Sequence, residues 1–252
     1  MDSAWRSFYM NLTRSAPKPP IEVLYEDNHL LALNKPAGVP TMGVAPQIPS
    51  MLSLCKEYLK RKYQKPGNVY VGIVSRLDAP VTGVLLVART SKAAARLTRQ
   101  FQQSAVRKEY LAVVEGSLPR SSDELVDWVR KDERHRRMHI ASAEAAGARE
   151  ARLRYRMLKK FPQDSVLSVE LVTGRKHQIR LQLSHLGNPV RGDRKYGARQ
   201  PFPAGIALHA SRLELNHPVR QQRVILTAPL PKSWRTAGYG ETEFTTRRRP
   251  RT

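Results

Sequence analysis

The chain is poor in cysteine, in acidic residues and in long apolar runs. One cysteine, Cys55, among 252 residues excludes an internal disulfide framework and any cysteine-rich zinc site. No stretch approaches the roughly 18 uninterrupted apolar residues of a spanning helix, and Met1–Pro20 lacks the apolar core of a secretory signal. The expected compartment is therefore reducing, the cytoplasm, with no membrane association. Acids number 21 against 44 Lys+Arg, leaving a formal charge of +23. Such a surplus implies a polyanionic partner, nucleic acid before an anionic membrane surface. No glycine-rich phosphate cradle follows a strand, and G-x-x-x-x-G-K is absent. His135 and His139 have a helical metal-ligand spacing but stand among Arg134, Arg136 and Arg137. That field repels a divalent ion, so they are expected on a solvated basic face. Neither a metal nor a cofactor is expected.

What is present suffices for a substantial core, since 40% of the residues are hydrophobic. Three regions separate by composition. Residues 1–20 end in Ala16-Pro17-Lys18-Pro19-Pro20 and are expected to form an extended arm. Residues 235–252 close on Arg247-Arg248-Arg249-Pro250-Arg251, a basic tail. Residues 21–234 form the expected single folded domain. Within it, Ile21–Tyr25 and His29–Leu33 read as strands split by Asp27-Asn28. Ser50 can cap a helix to about Lys62, with Met51, Leu54, Cys55 and Tyr58 on one face. Cys55 is then a buried small hydrophobe. A second helix is expected from Ser91 to about Gln103. Val69–Val74, Val84–Ala88, Lys108–Val114, Arg152–Leu158, Val166–Val172, His209–Leu215 and Arg223–Ala228 read as strands. Strands outnumber helices without regular alternation. The expected fold is thus α+β, with a mixed, largely antiparallel central sheet flanked by helices and loops.

Two segments carry chemistry. In Ser75-Arg76-Leu77-Asp78-Ala79-Pro80-Val81-Thr82-Gly83 an acid lies between two apolar strands, beside an arginine, in a basic chain. Alone, Asp78 reads more simply as a turn-capping or salt-bridged carboxylate. In Thr173-Gly174-Arg175-Lys176-His177-Gln178-Ile179-Arg180 a strand ends and a helix begins, its buried stripe running through Ile179, Leu183 and Leu186.

Together these segments resemble the hallmarks of the RluA-type pseudouridine synthases, R-L-D-x-x-[ST]-[ST]-G and T-G-R-x-H-Q-I-R. Further blocks match in order: Leu31–Gly38, Lys108–Gly116, Leu186–Gly197, Leu208–Ala210 and His217-Pro218. The resemblance covers roughly Ile21 to Trp234. It implies the pseudouridine synthase catalytic fold, an RNA partner (tRNA or rRNA), no cofactor, and a monomer. It assigns Asp78 as the essential catalytic group, either a nucleophile at the ribose or the base that removes the C2′ proton. It assigns Arg175 as the cation paired with that aspartate and Tyr110 as the aromatic that meets the flipped uracil. Arg76 would fill the gap left by the departing nucleotide. Lys35, Arg180 and Ile179 complete the expected substrate-binding set, although a solvated loop lysine and a phosphate-contacting or structural arginine are the plainer readings of Lys35 and Arg180. His177 is expected to orient loop backbone.

Three departures bear on substrate choice. Ser75 stands where the family has His before R-L-D, Ala79-Pro80-Val81 follow the aspartate where polar residues are usual, and the last motif closes on Arg180-Leu181-Gln182. Twenty residues ahead of the core are too few for an S4-like RNA module, so targeting is expected from core, arm and tail. The function expected is isomerisation of specific uridines in tRNA or rRNA. The rival is an inactive RNA-binding or ribosome-assembly protein on the same fold.

Overall fold

The computed structural model describes residues 21–132 and 137–240. The elements in order are β1 (Glu22–Glu26), β2 (Leu30–Lys35), α1 (Met51–Lys62), β3 (Gly72–Ile73), β4 (Thr82–Ala88) and α2 (Ser91–Gln102). These are followed by β5 (Arg107–Glu115), β6 (Ser122–Asp132), β7 (Arg137–Ala141), β8 (Arg149–Lys160), β9 (Asp164–Leu171) and α3 (Gln178–His185). A 3-10 turn at Arg194–Tyr196, β10 (Leu208–Asn216), β11 (Arg223–Thr227) and α4 (Lys232–Thr236) complete the chain. Among the described residues all strands join one sheet in the order β1-β2-β4-β10-β5-β9-β8-β6-β7, with β3 on β4 and β11 on β10. Every pairing is antiparallel except β4 with β10. The α+β expectation therefore holds, and so does the mixed sheet.

The first half is a two-faced layer. Strand side chains alternate, so Leu31, Leu33, Leu85 and Val87 meet Met51, Leu54, Cys55 and Leu59 of α1 on one face. Leu30, Ala32, Val84 and Leu86 meet Ala93 and Leu97 of α2 on the other. Burial on both faces explains why β2 and β4 read as continuous apolar runs. Ser50 caps α1 as the sequence implies, accepting from Ser53 N. Cys55 is fully buried, and that burial pushes its thiol up to about 12, so it is inert. The second half packs β5, β9 and β8 against α3 and the 186–206 segment through Val113, Leu153, Leu167, Ile179, Leu183, Phe202 and Trp234.

The structure corrects several expectations. Val69–Val74 narrows to Gly72–Ile73, because Val69 and Val71 pack under α1 as loop. Strands β6 and β7 escape the sequence reading, because β6 carries Val126 and Trp128 on its exposed face while its covered face carries acids. Asp127, for example, accepts from Gln182 Nε2 at 2.7 Å. His139 accordingly lies on strand β7, not a helix; His135, the arm (1–20) and residues 241–252 lie outside the described residues. The packed core also runs past Trp234, since Tyr239 is buried and its hydroxyl donates to Asp164 at 2.8 Å.

The parallel junction of β4 and β10 positions the site. Ala210 pairs with Gly83 on one side and with Tyr110 of β5 on the other. This sets Tyr110 two strand spacings, about 10 Å, from the strand that the Asp78 loop feeds. Gly83 has φ +111, and a Cβ there would run into the backbone of Ala210. Gly83→Ala should therefore destabilise the protein by about 3 kcal/mol, combining backbone strain with overpacking. Urea denaturation measures it, and a loss below about 1 kcal/mol would mean the two strands separate freely.

Candidate active site

The loop that carries Asp78 is pinned at each of five successive carbonyls. Leu77 O accepts from Thr41 Oγ1 (2.7 Å) and Asp78 O from Val81 N (3.1 Å). Ala79 O accepts from Gly38 N (2.8 Å) and Pro80 O from Ile206 N (3.2 Å). Lys35 Nζ supplies the rest, donating to Val81 O (2.8 Å), Ala79 O (3.0 Å) and Pro36 O (2.8 Å). Lys35 is 0% exposed. It is thus neither a substrate contact nor a solvated loop lysine, because its three ammonium hydrogens are all spent on backbone oxygens. Burial lowers its pKa to about 7, with the negative charge of Asp78 acting the other way.

The carboxylate itself is held by Arg180, whose Nη1 donates to Asp78 Oδ2 at 2.8 Å. The same guanidinium grips Asp193 bidentately, Nε to Oδ2 at 2.6 Å and Nη2 to Oδ1 at 2.8 Å. Its plane lies 5.0 Å from the centre of the Tyr196 ring. Burial opposes the charge on Arg180, but its bonds to Asp193 and Asp78 outweigh this and raise its pKa. Arg175, expected in this role, turns away: its Nε donates to Glu150 O at 2.8 Å and its backbone N to Gln178 Oε1 at 2.9 Å. The reason is helical geometry. Arg175 precedes α3 in the connecting loop, whereas Arg180 lies on the first turn of a helix in which residues 178–183 are all buried. Ile179 points into the core and is 4% exposed, so it contacts no substrate.

His177 lies nearest Asp78 after Arg180, its Nε2 3.6 Å from Oδ1. Its φ of +54 turns the chain into α3 and aims the ring at the carboxylate. Tyr196 Oη accepts from Met138 N at 3.1 Å and lies 2.7 Å from His177 Nδ1. With the hydroxyl donating to Nδ1, a neutral His177 carries its proton on Nε2, facing Asp78. Burial lowers the pKa of His177 to about 4, opposed by Asp78 and reinforced by Arg180, Lys195 and Lys176. Asp193, Tyr196 and the positioning role of Lys35 were not singled out from sequence. The available signal was Arg180 itself, a cation set between Ile179 and Leu181 in the helix that follows the T-G-R motif.

Tyr110 and exposed Arg76 line a shallow, open cleft beside the Asp78 loop, with Leu77, Val84, Phe101, Lys108, Ala210 and Arg212. Burial raises the Tyr110 pKa and Asp78 adds to the rise, so its hydroxyl stays protonated. A rigid carboxylate between a fixed guanidinium and an aromatic-lined cleft suits nucleophilic or general-base attack on a planar, ring-bearing substrate. The described residues hold no group of three or more metal-ligating side chains. No described helix is long and apolar enough to cross a membrane.

This fold is that of human RNA Pseudouridylate Synthase Domain Containing 4 (TM-score 0.71, 22% identity, covering 92% of this chain and 96% of that one). It is also that of human RNA Pseudouridylate Synthase Domain Containing 1 (TM-score 0.68, 24% identity, 86% of each). A sequence profile described as RNA pseudouridylate synthase matches residues 29–185, and the chain belongs to that family. It is 38% identical over 222 residues to Ribosomal large subunit pseudouridine synthase D of Nitrosomonas europaea, covering 84% of this chain and 62% of that protein. It is 35% identical over 237 residues to tRNA pseudouridine synthase C of Salmonella typhimurium, covering 86% and 88%.

Two outcomes follow from the geometry. Arg180→Gln leaves Asp193 buried without its charge partner, and should cost about 3–5 kcal/mol of stability as well as activity. Arg175→Gln should cost under about 1 kcal/mol. Equal losses in thermal denaturation would mean the two arginines share the role. The folded-state pKa of His177 lies below its ordinary value of 6.5. Its contribution to stability is therefore complete above about pH 6.5 and is lost as pH falls toward 4, amounting to about 2 kcal/mol by pH 5. His177→Gln should show a smaller loss over that range, and parallel pH curves would contradict it.

Proposed function

We propose that the protein is an RNA pseudouridine synthase that isomerises specific uridines in tRNA or rRNA in the cytoplasm, with Asp78 as the essential catalytic residue. The carrying observation is the Asp78 carboxylate, fixed by Arg180 and by its pinned loop at the edge of the cleft that Tyr110 lines. Two relatives bear names that place them on ribosomal large-subunit RNA and on tRNA. The chain spans 62% of the first of these and 88% of the second, which supports the reaction and leaves both RNA classes as substrates to test.

The target uridine leaves its stack, and Arg76 fills the vacated space. The uracil lies against Tyr110 with C1′ toward Asp78. The N1–C1′ bond then breaks, either as the carboxylate attacks C1′ or as it removes the C2′ proton to give a glycal. The uracil turns and C5 bonds to C1′, as the C1′–O bond to the carboxylate breaks on the first route or as the carboxyl returns its proton to C2′ on the second; the C5 proton is lost and N1 gains one, so atoms and charge balance without an oxidant or reductant. Either route needs an ionised, oriented carboxylate, which the Arg180 bond provides. Tyr110, protonated and aimed into the cleft, takes part in proton handling at C5. Intact Asp78, Arg180 and Tyr110 argue against a purely binding role.

Pseudouridine mapping in total RNA should show particular sites lost in a deletion strain and restored by the wild-type gene but not by Asp78→Asn. The isosteric amide keeps the shape, so turnover should fall by at least 10⁴-fold while RNA binding is retained. Restoration by Asp78→Asn would overturn the catalytic assignment. Loss of no site in the deletion strain, together with no turnover of tRNA or 23S rRNA transcripts by the purified protein, would favour the binding-protein reading.

A further inference from the structure

The cations around the cleft fall into two sets. Arg107 bonds Glu109 at 3.0 Å and Glu170 at 3.2 Å, and Arg212 bonds Glu214 at 2.9 Å. Arg152 and Arg154 share Glu124 at 3.6 and 3.5 Å. These charges are already neutralised. The side chains of Lys108 and Arg76, both lining the cleft, have no hydrogen bond or ion pair among the described residues. Lys108 is half-buried and stands two residues from Tyr110 on β5, so both side chains share one face, about 7 Å apart along the strand. Its ammonium lies close against Gly174, and a Cβ on that residue would sit 3.6 Å from Nζ. Burial lowers the Lys108 pKa and the Arg175 charge lowers it further, with no carboxylate to offset them. A half-desolvated cation without a partner is costly unless a ligand completes it.

We propose that Lys108, on the wall of the cleft, forms a subsite for the RNA phosphate adjacent to the isomerised uridine. The proposal rests on the synthase reading and adds to it the contact that registers the backbone while the base lies on Tyr110. A phosphate bound there would supply the negative charge that the cleft lacks and would gain from the partial burial of Lys108. Phosphate contacts fix register and orientation, so Lys108 is a binding and positioning residue, and the bond changes remain with Asp78.

The test uses stem–loop RNAs centred on the uridine mapped above. They carry either natural phosphodiesters or one neutral methylphosphonate, placed on the 5′ or the 3′ side of that uridine. Wild-type protein should lose about tenfold in affinity at one of the two linkages, the size of one charge-assisted contact. Lys108→Met should lose about tenfold on natural RNA and nothing further on that same methylphosphonate, while KM rises and kcat falls less than about threefold. Lys108→Arg should recover most of the affinity. Binding of poly(U) across salt should show a slope shallower by about 0.7 in Lys108→Met. Additive losses on the methylphosphonates, or a fall in kcat with KM unchanged, would overturn the phosphate subsite. So would an unchanged poly(U) slope, or no wild-type penalty at either linkage even if Lys108→Met fails to fold. A Lys108-dependent poly(U) slope in a protein that turns over no uridine would overturn the synthase reading and leave the phosphate contact standing.

Discussion

One buried guanidinium holds the site together. Arg180 is 5% exposed and spans two carboxylates from distant parts of the chain, Asp193 within its own half and Asp78 in the loop before β4. Burying such a charge is expensive unless every donor is met. The bidentate Asp193 grip uses Nε and Nη2, and the Tyr196 ring covers the face. What remains is Nη1, which points at Asp78. The orientation of the Asp78 carboxylate thus follows from a structural ion pair. Asp193 satisfies Arg180, and Arg180 presents its last edge to Asp78.

Lys35 does on the backbone side what Arg180 does on the side-chain side. An ammonium with three carbonyl acceptors, two of them flanking Pro80, ties β2 to the loop that must not move. The departures in that loop make physical sense here. Ala79-Pro80-Val81 contribute carbonyl oxygens to this lattice, while their side chains offer no polar groups. Proline needs no partner for the amide hydrogen it lacks. A site held through backbone and one guanidinium is preorganised before RNA arrives, which is where electrostatic catalysis gains most.

Much of the fold was legible in the sequence, because most strands and the two long helices are built on apolar periodicity that tertiary packing reinforces. β2 and β4, α1 and α2 fell close to their expected bounds. The β6–β7 hairpin was illegible for the complementary reason. Its covered face includes Asp127, which is satisfied by Gln182 from α3, and no local pattern announces a polar group paired across 55 residues of chain. The site was legible in part. Tyr110 and Arg76 line one cleft, and the loop that carries Asp78 lies beside it. The partner of Asp78 was misplaced by five residues because Arg175 and Arg180 share a charge and a motif. Burial separates them, and burial on every side of a short helix cannot be read from an apolar stripe alone.

The excess charge acquires a geometry from the same pairing logic. On β5, β6, β8 and β9, Arg107 lies against Glu109 and Glu170, and Arg152 and Arg154 lie against Glu124, so these charges cancel at short range. Such pairs add little to stability, but they leave these arginines weak competitors for phosphate. Around the cleft the balance differs. Its scarce carboxylate, Asp78, is already committed to Arg180, and Arg76 and Lys108 stay unneutralised. A polyanion is therefore drawn most strongly where its charge is least opposed, beside Asp78, the acid proposed as catalytic. Net charge attracts polyanions to the surface, and the uneven distribution of glutamate decides where on the surface they settle.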